Sequence, residues 1–179
     1  DFEGNNKLTT HNYMLEGQDN YREGVDGLKT GTTELAGASF VAHANENGMS
    51  LITVVMNADN GGEDEAARFT ATNELLDYVT QNWKIKTLNT KGQIVKKNDI
   101  KVADGDSQTI SAKLESDLTV VQKINSKNDA VKIKAKTITA PIKKDDTIGT
   151  ATFDDKDLVG TGYISDPPQI SVTANQSIK

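Results

Sequence analysis

The chain has no cysteine in its 179 residues, which excludes disulfide staples, thiolate metal sites and cysteine nucleophiles. Histidine is nearly as scarce. His11 and His43 are the two present, too far apart for a His-x-x-x-His metal pair. Aromatic residues make up 5% and hydrophobic residues 35%, low values that still lie above those of a disordered chain. No apolar run reads as a signal peptide or a membrane span, and the first residue is Asp1 rather than Met. Removal of an N-terminal portion would have taken a signal peptide with it. With a net charge of −6, nucleic-acid binding through a basic face is not expected.

The charge is unevenly spread. Residues 1–83 hold 14 Asp and Glu against 4 Lys and Arg, whereas residues 84–179 hold 12 against 16. The pattern of apolar residues changes at the same place, so a domain boundary is expected near Trp83.

The most informative stretch is Val25-Asp26-Gly27-Leu28-Lys29-Thr30-Gly31-Thr32-Thr33. A Gly after Lys-Thr permits close backbone approach at a strand edge, because a Cβ there would block an incoming ligand. Lys29 supplies a fixed positive charge, and the hydroxyls of Thr30, Thr32 and Thr33 can donate to a carboxylate or carbonyl oxygen. Ala38–Asn45 alternates as a half-buried strand, with Asn45-Glu46-Asn47-Gly48 as a turn behind it. Met49–Asn57 reads as a central buried strand. Together they predict an antiparallel meander. Glu63 to Trp83 reads as a helix packed on it, with Glu63, Asp64 and Glu65 in its first turn at the positive end of the dipole. These three acids point in different directions on a helix and do not form a metal site. His11 reads as an exposed loop residue rather than a general base, and His43 as structural.

From Lys84 onward short apolar runs recur at Lys84–Leu88, Gln93–Lys96, Asp99–Ala103, Gln108–Ala112, Leu118–Ile124, Ala130–Thr139, Thr147–Phe153, Leu158–Tyr163 and Ile170–Thr173. Turn clusters separate them, which predicts a β-sandwich or small barrel. Ala130–Lys136 alternates lysine with apolar residues, as a strand with one face inward does, and its lysines would blunt a sheet edge.

Lys-Thr-Gly in this setting, with Asn12-Tyr13-Met14-Leu15, Ala36-Gly37 and Gly48-Met49-Ser50-Leu51-Ile52 around it, resembles the D-alanyl-D-alanine carboxypeptidases, the low-molecular-mass penicillin-binding proteins. The resemblance covers residues 5–83 closely and the β-rich remainder more loosely. It implies an α+β fragment of a penicillin-binding/β-lactamase-like domain (residues 1–83), followed by an all-β, sandwich-like domain (residues 84–179). The family's Ser-x-x-Lys nucleophile motif precedes Lys-Thr-Gly, yet the first serine here is Ser39, and none of the nine serines has Lys three residues on. The expectation is therefore the C-terminal part of such an enzyme, inactive by itself.

The resemblance further implies acyl transfer from the D-Ala-D-Ala end of a peptidoglycan stem peptide to a serine, followed by hydrolysis, with no cofactor or metal. β-Lactams would acylate the same serine. Lys29 would add positive potential beside the nucleophile and assist proton transfer. Thr30 and Thr32 would bind the substrate's carboxylate, and Gly31 would keep the strand edge open. The Thr32 backbone N–H would form half of an oxyanion hole, worth about 3 kcal/mol in comparable sites. Many relatives have His at Thr32. A basic residue expected in the loop after the third strand is absent from Ala58–Gly62, and Arg68 falls on the helix.

The implied location is the bacterial cell envelope, on the outer face of the cytoplasmic membrane, with an anchoring helix beyond Lys179 in some relatives. The motif strands would expose an apolar face that the missing N-terminal part of the peptidase domain, or another copy of the chain, would cover. A class A β-lactamase shares Lys-Thr-Gly but lacks a long β-rich extension. A non-catalytic wall-binding or spacer module is the alternative from a different class. The lysine surplus after residue 83 reads as a solvated β surface or as weak attraction to anionic wall polymers or membrane.

Overall fold

The computed structural model describes residues 9–59, 64–96, 99–160, 162–163 and 166–179. The chain divides into two compact units, Asp1–Lys84 and Ile85–Lys179.

The first unit is an antiparallel meander with one helix. Strands β1 (Val25–Thr33), β2 (Gly37–Glu46) and β3 (Met49–Val55) lie in the order β1-β2-β3. Lys29 pairs with Val41 and Thr30 with Phe40, and across the other side of β2 Phe40 pairs with Val55 and His43 with Ile52. The period of two is clean on β2: Ala38, Phe40, Ala42 and Ala44 are buried, and Ser39, Val41 and His43 between them are half-buried. Helix α1 (Ala67–Asn82) packs on β2 and β3 through Phe69, Thr72 and Leu76, spaced as one helical face. The rings of Phe40 and Phe69 meet edge to face at 5.4 Å, and Met14 from the N-terminal loop completes the core.

Two expectations need correction here. The helix starts at Ala67, with no acid in its first turn. Glu63 lies outside the described residues, while Asp64 and Glu65 precede the helix. Asp64 Oδ1 accepts from the backbone N–H of Ala66 at 3.0 Å, so this acid closes a turn instead of complementing a dipole. Among the described residues β3 is also not a central strand. It is an edge of the described sheet, and Ile52 and Val54 are 61% and 60% exposed. The strand carries the apolar content of a buried one, and Ile52 and Val54 on its second face stay exposed among the described residues.

Arg22 holds the loop before β1 in place. Its Nε and Nη2 donate to Glu46 at 2.6 and 2.8 Å, and Nη1 donates to Asp77 on α1 at 2.7 Å. The hydrogen bonds to Glu46, followed by those to Asp77, raise the guanidinium pKa further, so the clamp's cation persists at every accessible pH. Arg22→Ala is expected to cost about 2 kcal/mol, measurable as a lower thermal midpoint of this unit.

In the second unit three small sheets surround one core. The element names are β4 (Trp83–Asn89), β5 (Ile100–Ala103), β6 (Thr109–Ile110), β7 (Ala112–Leu114), β8 (Leu118–Lys123), β9 (Val131–Lys134), β10 (Ile138–Thr139), β11 (Thr147–Phe153) and β12 (Gln169–Ala174). The sheets run β7-β12-β11-β9, β10-β5-β6 and β4-β8. Ile110, Leu114, Leu118, Val172 and Ile178 are among the fully buried side chains. Several predicted runs prove shorter. Gln93–Lys96 makes only a bridge, Ile94 to Lys113. The run Gln108–Ala112 is split at Ser111, Ala130–Thr139 is split into β9 and β10, and Leu158–Tyr163 has no strand among its described residues. β9 does form a sheet edge with Lys132 and Lys134 facing out, which is where charged side chains discourage further pairing.

Candidate active site

Lys29, Thr30, Gly31 and Thr32 are consecutive on β1, the outer strand of the meander, and all four line one cleft of about 450 Å³. His11 and Tyr13 of the N-terminal loop and Glu65, Ala66, Arg68 and Phe69 at the start of α1 complete its walls. The side chains divide between the two faces of the sheet because of the strand period. Thr30 pairs with Phe40 on the helix side and is buried, whereas Lys29 pairs with Val41 on the other face and is exposed. The Lys29 ammonium donates to the Thr30 carbonyl at 2.5 Å. No described atom beyond its chain neighbours lies within 4 Å of where a Cβ on Gly31 would stand, so the sheet face above Gly31 is open space among the described residues.

Arg68 is the residue that sequence reasoning set aside. It is the second residue of α1 and 3% exposed, and its guanidinium reaches back to β1. Nη1 donates to the carbonyls of Gly31 at 3.1 Å and Ser39 at 3.3 Å, Nε donates to the Glu65 carbonyl at 2.7 Å, and Nη2 donates to Thr32 Oγ1 at 2.7 Å. Nη2 also faces Glu65 Oε2 at 3.1 Å. Because the Thr32 oxygen already accepts from a cation, its own proton is the part it offers to another group. The available signal was position. A cation in the first turn of a helix opposes the dipole, so Arg68 there needed a partner outside the helix.

His43 lies apart from this cleft. It spans the meander, with Nδ1 2.5 Å from Asp26 Oδ1 on β1 and Nε2 2.9 Å from Ser50 Oγ on β3. The order is that of a Ser-His-Asp relay, but the three side chains lie across an open sheet face and tie its strands together. His11 is exposed at the cleft rim. The family this chain resembles carries a second motif, Ser-x-Asn, ahead of Lys-Thr-Gly; here that tripeptide stands only after it, at Ser126-Lys127-Asn128 in the second unit. There Ser126 donates to Asp157 and accepts from the Asn128 N–H at 3.1 Å, while Asn128 Nδ2 donates to the Asp154 carbonyl at 2.7 Å. Its polar groups are engaged in closing a loop.

Residues 2–60 match the family model described as D-alanyl-D-alanine carboxypeptidase, and residues 83–179 match penicillin-binding protein 5, C-terminal domain. The chain is 33% identical over 140 residues to D-alanyl-D-alanine carboxypeptidase DacD of Escherichia coli, an alignment covering 74% of the chain and 34% of the relative. Identity to DacF of Bacillus subtilis is 32% over 130 residues, covering 71% and 32%. The chain thus spans about a third of the length of the curated relatives it matches. Among solved structures it is similar to a peptidoglycan synthesis regulatory factor (PBP3) from Streptococcus pneumoniae, with a TM-score of 0.74 at 37% identity over 96% of this chain and 48% of that one. Penicillin binding protein 5 from Haemophilus influenzae shares the fold, with a TM-score of 0.51 at 22% identity over 87% and 43%.

Proposed function

The chain belongs to the D-alanyl-D-alanine carboxypeptidase family, and we propose that it supplies the Lys-Thr-Gly wall of a serine peptidase site that trims peptidoglycan stem peptides. The observation that carries this reading is the placement of Lys29, Thr30, Gly31 and Thr32 on the outer strand of the described sheet, lining a cleft closed by Arg68. The serine comes from a Ser-x-x-Lys segment that these residues do not contain.

In this reading the serine oxygen attacks the carbonyl carbon of the penultimate D-alanine, the amide C–N bond breaks, and D-alanine leaves as the amine takes up a proton. Water then cleaves the ester and restores the serine. The Lys29 ammonium lowers the cost of charge developing beside the nucleophile and aids proton transfer. The Thr32 backbone N–H donates to the oxyanion, and the hydroxyls of Thr30 and Thr32 meet the terminal carboxylate of the substrate. Arg68 acts as a positioning residue by fixing Thr32. β-Lactams enter the same cleft and acylate the same serine.

The exposed face bearing Val41, Ile52 and Val54 is covered by the remainder of the peptidase domain or by a second copy of the chain. The site of action is the cell envelope, outside the cytoplasmic membrane. No helix among the described residues is long and apolar enough to cross a membrane.

Release of D-alanine from a D-Ala-D-Ala-terminated peptide tests the proposal. A polypeptide that joins these residues to a Ser-x-x-Lys segment is expected to release it, and the 179 residues alone are expected to release none. Turnover by the 179 residues alone would defeat the assignment of the missing serine.

A further inference from the structure

Glu65 is the single acid among the residues that line the Lys-Thr-Gly cleft, and the peptidase reading gives it no part. It precedes α1 and meets Arg68 three residues on. The guanidinium of Arg68 has five N–H bonds. Nε serves the Glu65 carbonyl, Nη1 serves the carbonyls of Gly31 and Ser39, and Nη2 serves Thr32 Oγ1. One hydrogen on Nη2 is left over, and the Glu65 carboxylate stands against that nitrogen with Oε2 at 3.1 Å. The two side chains are held very differently. That of Arg68 is 3% exposed and tied to β1 and β2, whereas that of Glu65 is 67% exposed.

On the peptidase reading, from which this inference proceeds, the terminal carboxylate of the stem peptide arrives beside Thr32 Oγ1. It therefore arrives beside Arg68 Nη2, where a carboxylate already stands. Two like charges cannot share one cation without repulsion, and an ion pair to an exposed acid is weak enough to be exchanged. We propose that Glu65 is a built-in competitor of the substrate, which pairs with Arg68 in the free site and gives way to the terminal carboxylate. Its charge sets binding weaker than Lys29, Arg68 and the threonines alone would make it. The exchange also selects the ligand's end group, because a neutral chain end has no charge with which to replace Glu65.

The test uses a polypeptide that joins these residues to a Ser-x-x-Lys segment, with a D-Ala-D-Ala-terminated peptide as substrate. Glu65→Gln keeps an acceptor of the same shape and removes the charge. KM is expected to fall about two- to fivefold, with kcat nearly unchanged, because the competitor acts on binding alone. A merely structural contact would do the reverse, since loosening Arg68 would loosen Thr32 and raise KM. The gain should shrink in high salt, which screens an exposed charge. Glu74→Gln removes equal charge from an exposed position of α1 outside the cleft and should leave KM as it is. An unchanged or higher KM in Glu65→Gln, an equal fall in Glu74→Gln, or a gain undiminished by salt would overturn the proposal. Absence of turnover in the unaltered polypeptide is a separate result, which defeats the peptidase reading and this inference with it.

Discussion

Arg68→Ala is expected to remove about 3–5 kcal/mol from the stability of the first unit. The guanidinium is 3% exposed and serves the carbonyls of Gly31, Ser39 and Glu65 together with Thr32 Oγ1. Alanine leaves those acceptors facing a void without a donor, and each buried unsatisfied group costs about 1–3 kcal/mol, not additively. For a unit of this size the thermal midpoint should fall by roughly 15–30 °C. Lysine cannot reproduce the planar fork, so Arg68→Lys should recover only a part of the loss. A midpoint within a few degrees of the unaltered chain would show that Arg68 does not brace β1. Thr32→Val separates bracing from recognition. It leaves Arg68 its carbonyl partners, so its main effect should be weaker substrate binding, read as a higher KM.

The second large effect is kinetic. In a polypeptide that joins these residues to Ser-x-x-Lys, Lys29→Ala is expected to slow acylation by a β-lactam about 10²–10⁴-fold. The same change should alter stability by less than about 0.5 kcal/mol, because the ammonium is exposed and donates to the carbonyl of the adjacent Thr30. That contrast distinguishes a chemical role from a structural one. Lys29→Arg preserves charge but not proton transfer and should fall between. An unaltered acylation rate in Lys29→Ala would make Lys-Thr-Gly an ordinary strand end.

What the sequence made legible follows from how local each signal is. β1, β2 and β3 were readable because Ala38–Ala44 alternates enough to read as a strand, with Val41 the one apolar residue out of step, and Asn45-Glu46-Asn47-Gly48 closes a tight hairpin, with both Asn47 and Gly48 at positive φ. The helix was readable from the near-helical spacing of Phe69, Ala71, Leu75-Leu76, Tyr78 and Val79, but its start was not, since Asp64 can stabilise either a dipole or a turn. Arg68 escaped because its partners Gly31, Thr32 and Ser39 are some 30 residues away along the chain, and periodicity carries no long-range pairing. The same limit applies in the second unit. The lysine-apolar alternation runs on through Ala135 and Lys136, although the backbone leaves the sheet after Lys134. Periodicity fixes which face a residue would take, not where pairing stops. The exposed Ile52 and Val54 are the converse case, a buried-strand composition whose cover these residues do not supply.

The most direct test of the central claim is intact-mass spectrometry after incubation with a β-lactam. The samples are the polypeptide that joins these residues to Ser-x-x-Lys and, beside it, the 179 residues alone. The account predicts a gain of one drug on the longer polypeptide and none on the shorter. A gain on the 179 residues alone would place a nucleophile within them, and no gain on either would leave a wall-binding or spacer module as the better description.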